Sequence, residues 1–353
     1  MKKHKKIRIA IIFGGRSAEH EISIQSVRNI VKALDKEKYE PVLIGINKDG
    51  EWVTSNTRQL FSNKQVVLDK NKKNILTEVS GNLKKIDVVF PVLHGPFGED
   101  GTVQGLLKLA GVPFVGAGVL GSAIGMDKDV MKRLLRDAGL PTNQFLTYKS
   151  FEKGKISFDK IKQALGLPFF VKPANLGSSV GITKIHNKQE LLPALESAFM
   201  YDSKIIVEEY IKGIEIECSV LGNDDPVASM CGEITPNHEF YSYEAKYLDK
   251  DGAKLSIPAN ISAKVSKKIQ EIAVEAFKVL CCEGMARLDF FVAAKDRIVI
   301  NEINTIPGFT SISMYPKLWE VSGISYSKLI DTLIELAIER YNKEQGLQTL
   351  VVK

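Results

Sequence analysis

The side chains best suited to chemistry lie on two short segments near the C-terminus. Residues 285–292 read Met-Ala-Arg-Leu-Asp-Phe-Phe-Val and residues 297–304 read Arg-Ile-Val-Ile-Asn-Glu-Ile-Asn. Polar and apolar residues alternate in both, and a short turn containing Lys295 and Asp296 joins them, which predicts a β-hairpin. Residues two apart on a strand share a face. Arg287 and Asp289 therefore point one way, and Glu302 and Asn304 share a face of their own. If the two faces coincide, one sheet surface carries two carboxylates, an amide oxygen and a guanidinium. Hard oxygen ligands of this kind suit a cation such as Mg²⁺, usually shared with substrate phosphates. A solvated strand face with surface ion pairs fits the same residues.

The elements that must position such a face begin with a β-rich run, 6–13, ending in Gly14-Gly15. From Ser23 a helical period places Ile24, Val27, Ile30, Val31 and Leu34 on one side. Strand, glycine turn and helix open an α/β domain, whose ligands collect at the C-terminal ends of the strands. The connection is polar and includes Glu19, which suits a substrate ammonium better than a phosphate. A second strand is expected at 41–46, a surface excursion at 47–85 and a third strand at 86–93. The third ends in a polar glycine loop that starts with His94 and leads to a helix at 102–109. His94 at the mouth of the same sheet is either structural or part of the site. A dinucleotide fold would need G-x-G-x-x-G after the first strand, and only Gly14-Gly15 is present. After Met126-Asp127-Lys128 a helix is expected with Val130, Met131, Leu134, Leu135 and Ala138 inward, ended by Gly139 and Pro141.

The most specific segment follows. A strand at 167–173 contains Lys172, the loop Ala174-Asn175-Leu176-Gly177-Ser178-Ser179 comes next, and a strand returns at 180–185. A small, hydroxyl-bearing loop can present several backbone N–H groups to phosphate oxygens, and Lys172 can reach them as a point charge. It is not a Walker loop, because G-x-x-x-x-G-K-[ST] is absent. Glu208, Glu209 and Glu215 then cluster around the end of a strand at 205–210. Beside a phosphate site they make sense for adenosine: a carboxylate and a backbone carbonyl for the adenine amino group, a second carboxylate for the ribose hydroxyls. The aromatic, charged and aperiodic stretch from 240 to 247 reads as a mobile lid. A long helix at 263–280 precedes the hairpin, and an amphipathic helix around 326–341 closes the chain.

The 353 residues allow two or three domains. A hydrophobic content of 44% and a charged content of 25% are ordinary for a globular protein. The net charge of +6 is concentrated at Lys2, Lys3, Lys5, Lys6 and Arg8. That is a basic tail and not a basic face, which argues against a nucleic-acid partner. The run behind it is too short and interrupted for a signal peptide, and no stretch approaches the ~18 apolar residues of a spanning helix, so no membrane partner is expected. Cys218, Cys231, Cys281 and Cys282 form no C-x-x-C pair and read as reduced thiols of a cytoplasmic protein.

In their order, Gly-Gly-x-Ser-Ala-Glu at 14–19, His-Gly-x-x-Gly-Glu-Asp-Gly at 94–101, Met-Asp-Lys at 126–128, Val-Lys-Pro at 171–173 with Gly-Ser-Ser-Val-Gly at 177–181, Tyr-Glu-Ala-Lys-Tyr at 243–247, Arg-x-Asp at 287–289 and Asn-Glu-x-Asn-Thr-x-Pro-Gly at 301–308 resemble the D-alanine–D-alanine ligases of the ATP-grasp superfamily. The resemblance runs from Phe13 to Met314. It implies an α/β chain with an ATP-grasp fold behind an N-terminal open α/β domain. The implied division is a substrate-binding domain at 1–125, a central subdomain with the phosphate loop at 126–217, and a C-terminal subdomain with metal site and lid at 218–353.

It further implies that Lys128 and Lys172 contact ATP phosphates under the Ser178–Ser179 loop. Glu208 with the Glu209 and Ile211 backbone would hold adenine, Glu215 ribose, and Lys246 the transferred phosphoryl group. Asp289, Glu302 and Asn304 would bind two Mg²⁺ or Mn²⁺ ions. Glu19 would anchor the first D-alanine and link to Ser178 and Tyr247, with His94 in the same pocket. Arg287 and the Gly308 amide would face the acyl centre, and Ser313 and the Met314 amide would bind the second D-alanine's carboxylate. Met314 stands where many relatives have leucine. The implied reaction yields D-alanyl-D-alanine for peptidoglycan precursors, and the implied assembly is a homodimer through the N-terminal domain. A sister ligase that takes D-serine or D-lactate, and a non-catalytic ATP-binding regulator, are the rival readings.

Overall fold

The computed structural model of the chain describes residues 5–55, 86–236 and 253–348. The expected lid at 240–247, with Lys246 and Tyr247, lies outside the described residues.

The N-terminal sheet comprises β1 (Ile7–Gly14), β2 (Tyr39–Ile46), β3 (Trp52–Ser55) and β4 (Val88–Val92) in the order β3-β2-β1-β4. β1 runs parallel to both β2 and β4. A parallel sheet must be covered on both faces, and β1 alternates accordingly. Ile9, Ile11 and Phe13 enter one core, Ala10 and Ile12 the other. On the first face lies α1 (His20–Ala33), which buries Ile24, Val27, Ile30 and Val31 as its period predicts. The second face is covered by α2 (Thr102–Leu109) through Val103 and Leu107.

Two short helices follow, α3 (Val119–Met126) and α4 (Lys128–Asp137). Asp127 caps α4, its carboxylate accepting the Asp129 and Val130 amides at 3.1 Å. Next, β5 (Phe145–Lys149), β6 (Phe169–Pro173), β7 (Thr183–Ile185) and β8 (Lys204–Glu209) form an antiparallel sheet in the order β5-β8-β6-β7. Its outer face packs on α5 (Phe158–Leu165) and α6 (Leu191–Phe199) through Ile161, Leu191, Leu195 and Ala198. β9 (Gly213–Gly222), β10 (Val227–Pro236), β11 (Ala253–Ser256), β12 (Gly284–Ala293) and β13 (Arg297–Asn304) make the third sheet, order β11-β10-β9-β12-β13. α7 (Ala263–Val279) covers it with Ile269, Ile272, Ala273, Ala276 and Phe277. The chain ends in α8 (Met314–Val321) and α9 (Tyr326–Gln345).

Three features redraw the division expected from the sequence. The boundary after residue 217 falls inside β9, and the change of sheet comes between Glu209 and Gly213. Met131 and Leu135 of α4 pack into the core of the third sheet, not the second. Leu329, Ile330, Leu333 and Ile334 of α9 join Ile9, Ile11 and Phe13. The first domain thus has α9, from the C-terminal part of the chain, beside α1 on the same face. α4 also departs from its expected period. Val130 is 38% exposed and Ala138 is exposed, whereas Lys132 is fully buried.

Candidate active site

The β12–β13 hairpin forms as its pattern predicts, with a short turn at Ala294–Asp296. Arg287 lies opposite Asn304 and Asp289 opposite Glu302, so the two polar faces coincide. A bulge makes this possible. The register shifts between Asp289 and Phe290, which pair with Glu302 and Ile300 and leave Asn301 between. Ile300 and Ile303 can then both enter the core while Glu302 and Asn304 stay on the other side. The released Asn301 carbonyl accepts a hydrogen bond from Lys132 at 2.9 Å.

The Asp289 carboxylate receives Arg287 Nε at 2.7 Å, Arg287 Nη2 at 2.8 Å and the Asn304 amide at 3.0 Å. Glu302 stands 3.6 Å from Lys128 Nζ, which also donates to the Leu176 carbonyl at 2.8 Å. Among the described residues no three His, Cys, Asp or Glu side chains make a closed metal cage. Two carboxylates and an amide instead fit a hard cation that keeps waters and takes its remaining ligands from phosphates.

Across from this face, β6 contributes Lys172 and β8 contributes Glu208. Their ion pair is 2.5 Å long, and Lys132 approaches the other Glu208 oxygen at 3.1 Å. Lys132 is further held by Asn143 Oδ1 at 2.7 Å. Burial alone would raise the Glu208 pKa, but the charges of Lys132 and Lys172 outweigh it and bring it down to about 2. Burial lowers the Lys132 pKa, partly offset by Glu208. For Lys172 the pull of Glu208 outweighs burial and the pKa rises. Glu302 acts on both lysines and Glu215 on Lys172, so the clustered ammonium groups are balanced by carboxylates beyond Glu208. Ile211 is buried nearby in sequence, and Glu209 is tied to Gln144 twice, its carboxylate accepting the Gln144 amide at 2.9 Å and its own N–H donating to the Gln144 carbonyl at 3.0 Å, with Arg297 at 3.2 Å. Glu215 sits on β9, opposite Phe291 of β12.

The loop between β6 and β7 holds Ser178 at φ 55° and Ser179 at φ 59°. Left-handed backbone at two consecutive serines costs about 1–3 kcal/mol each, and such strain gathers where a loop must present its amides. The Ser178 hydroxyl donates to Glu19 of the first domain. Glu19 occupies the N-cap of α1 yet makes no capping bond with its side chain. The carboxylate that could have capped the helix faces the loop instead.

Around Glu19 the first domain and the turn after β13 form one unit. Phe309 is fully buried, edge-on to Phe90 at 5.7 Å, with its N–H on Ser26 at 3.1 Å and its carbonyl on Tyr326 at 2.7 Å. His94 is buried with Nδ1 3.0 Å from the Ile306 carbonyl, and its Nε2 has no hydrogen-bond partner among the described residues. Gly308 lies against Ser313: a Cβ there would stand 2.7 Å from the Ser313 hydroxyl oxygen. That oxygen accepts the Thr310 amide at 2.9 Å. The Met314 side chain packs with Ile234 and Leu318.

Sequence reasoning missed Glu99, Lys132, Asn143 and Glu217. Glu99 accepts the Gly95 amide at 2.7 Å and the Ile306 amide at 3.1 Å. Burial, only partly countered by His94 and reinforced by the charge of Glu19, pushes its pKa up to about 7. Glu99 lay within a quoted motif, and two acidic residues in one glycine loop were the available signal.

Two antiparallel sheets that face each other across buried lysines and carboxylates, behind an open α/β domain whose sheet is parallel except for the edge strand β3, define an ATP-grasp fold. The family comparisons agree with that class. The family described as "D-ala D-ala ligase N-terminus" matches residues 8–117, and "D-ala D-ala ligase C-terminus" matches residues 134–335. The chain belongs to the D-alanine–D-alanine ligase family. It is 51% identical to the D-alanine–D-alanine ligase of Oceanobacillus iheyensis over 360 residues, covering 98% of each chain. Among solved structures it is similar to the VanG D-Ala:D-Ser ligase of Enterococcus faecalis, at 40% identity and a TM-score of 0.84, covering 94% of this chain and 100% of that one. It is also similar to the Bacillus anthracis D-alanine–D-alanine ligase complexed with ATP, at 33% identity and a TM-score of 0.77, covering 97% and 100%. No helix among the described residues is long and apolar enough to cross a membrane.

Proposed function

We propose that this chain uses ATP to join two D-alanine molecules, releasing D-alanyl-D-alanine, ADP and phosphate for peptidoglycan precursor synthesis in the cytoplasm. The observation that carries the reading is the Glu19–Ser178 hydrogen bond. It joins an ammonium-binding carboxylate to a phosphate-binding loop, the two things a carboxylate-activating ligase must hold together. Lys128 and Lys172 would hold the phosphates, with Lys246 on the transferred group. Glu208 and the backbone of Glu209 and Ile211 would take adenine, and Glu215 ribose. Asp289, Glu302 and Asn304 would hold two Mg²⁺ or Mn²⁺ ions, whose chemistry is to neutralise phosphate charge during in-line transfer.

A carboxylate is a poor electrophile because its oxygen leaves badly. One carboxylate oxygen of the first D-alanine attacks the terminal phosphorus, ADP departs, and an acyl phosphate results. Glu19 fixes the ammonium group, with His94 beside it. The neutral amine of the second D-alanine then attacks the acyl carbon while Ser313 and the Met314 amide hold its carboxylate. Arg287 and the Gly308 N–H stabilise the oxyanion, about 3–4 kcal/mol for each donor. Phosphate leaves and the amine proton is lost. Tyr247 would help exclude water that hydrolyses the acyl phosphate. The dimer would form through the first domain.

The likeness to a D-Ala:D-Ser ligase supports D-serine as the second reading for the attacking amino acid. One assay decides. ADP release is measured with D-alanine alone and with D-alanine plus D-serine or D-lactate, and the products are weighed by mass spectrometry. Rapid release with only D-alanyl-D-alanine formed is expected. A mixed product in excess transfers the assignment to the sister ligases, and no D-alanine-dependent release removes the ligase reading.

A further inference from the structure

A third carboxylate completes the row that crosses the last sheet. β9 and β12 place Glu217 opposite Asp289, and β12 and β13 place Asp289 opposite Glu302. Glu217 is the deepest of the three, its side chain 8% exposed against 16% for Asp289 and 26% for Glu302. It stands 3.1 Å from Arg287 Nε, the same nitrogen that donates to Asp289 at 2.7 Å. One edge of the guanidinium therefore faces two carboxylates, hydrogen-bonding Asp289 and forming an ion pair with Glu217, and Nη2 also donates to Asp289 at 2.8 Å.

That sharing creates a conflict, granted the proposed function. Asp289 is to hold a divalent cation, and Arg287 is to face the acyl carbon. A carboxylate that binds a cation has little charge left for a guanidinium. Arg287 would lose both of its short bonds to Asp289, and a long cationic side chain without a counter-charge leaves a part-buried site for water. Glu217 is placed to prevent this. It sits on β9, paired on both sides by β10 and β12, so its backbone is fixed. It also lies one strand farther than Asp289 from Glu302. We infer that Glu217 is a positioning residue: it retains Arg287 when Asp289 turns to the cation, and so separates the oxyanion donor from the metal ligand. A carboxylate buried to this degree beside an arginine would otherwise be only a structural ion pair, and the two roles differ in what they change.

The test uses the full chain and Glu217→Gln, which keeps size and an acceptor oxygen but removes the charge. Arg287 serves the second half of the reaction, so ADP formation should persist while dipeptide formation lags. The ratio of ADP to dipeptide is expected to rise about fivefold or more, with Glu217→Asp restoring it in part. A second reading does not depend on turnover. Free Mn²⁺ is followed by electron paramagnetic resonance in the presence of ADP. In Glu217→Gln the guanidinium settles on Asp289 and competes with the ion, so Mn²⁺ should bind about threefold more weakly. Arg287→Ala in the same background should restore it. An unchanged ratio, unchanged Mn²⁺ binding, or weaker binding that Arg287→Ala does not reverse would each overturn the inference. If instead the unaltered chain makes no dipeptide, it is the ligase reading that fails, and the Mn²⁺ comparison still judges Glu217.

Discussion

A fully buried carboxylate, Glu208, and a partly buried one, Glu99, mark the two ends of the site, and their pKa values shift in opposite directions. Glu208 lies at the end read as nucleotide-binding and is held down at about 2, although burial would raise it, because Lys132 and Lys172 flank it. Glu99 lies at the end read as amino-acid-binding and is raised to about 7 by burial, with His94 opposing and Glu19 adding to the rise. Burial works the same way on both, and the neighbouring charges decide the outcome. The two ends differ accordingly. Lys128, Lys132 and Lys172 bring three ammonium groups to one end, among carboxylates that include Glu208 and Glu302, while Glu19 and Glu99 stand at the other, Glu99 raised toward its neutral form.

The largest expected effect comes from removing Asp289, the carboxylate proposed to seat a cation at the lysine-rich end. Asp289→Ala is expected to lower D-alanine-dependent ADP release by at least about 10⁴-fold, more than 5 kcal/mol of barrier. Release near the normal rate would take Asp289 out of the metal site. The next largest effect falls on stability. Glu208→Gln leaves two lysines facing a neutral amide, and unfolding in urea should show a loss of about 3–5 kcal/mol. The pH dependence has a definite sign. The folded pKa of about 2 is below the ordinary 4.5, so the contribution of Glu208 is complete above pH 4.5 and is lost as pH falls towards 2. Glu208→Gln should therefore flatten the acid limb of the stability curve, and an unchanged limb would contradict the ion-pair assignment.

The comparison also separates what the chain makes legible from what it hides. The hairpin with Arg287, Asp289, Glu302 and Asn304 is local, so its alternation predicts both strands and leaves open only whether their polar faces coincide. The bulge at Asn301 escapes prediction, since it depends on Ile300 and Ile303 both finding the core. Lys132 is harder still. In Lys-Asp-Val-Met-Lys-Arg-Leu-Leu it reads as a solvated helix position, and it is buried only because α4, β8 and β13 converge on it from distant parts of the chain. The same holds for α9, whose apolar face is legible but whose target, the first sheet, is not. Local period carries the elements, and contacts between elements decide the buried charges.

At the acidic end smaller effects are expected. On the proposed function, Glu19→Gln removes a charge-assisted hydrogen bond to the first substrate, worth about 1.5–3 kcal/mol. The D-alanine KM should rise about 10- to 100-fold while the ATP KM stays within about twofold. A matching rise for ATP would mean that Glu19 acts on the phosphate loop through Ser178 and not on the ammonium group.

Glu99 gives the finest test, because it is the mirror of Glu208. Its folded pKa of about 7 is above the ordinary 4.5. A raised carboxyl favours the folded state fully below pH 4.5, and that contribution is lost as pH climbs through 7. Solvent reaches part of this carboxylate, so the loss should amount to about 1–2 kcal/mol. Glu99→Gln keeps the acceptor oxygen for the Gly95 and Ile306 amides but cannot ionise. Urea unfolding measured from pH 4.5 to 7.5 should show stability declining in the parent chain and level, or declining less, in Glu99→Gln. Parallel curves would mean that the two backbone donors hold Glu99 ionised throughout. The contrast between the ends would then rest on the lysines alone.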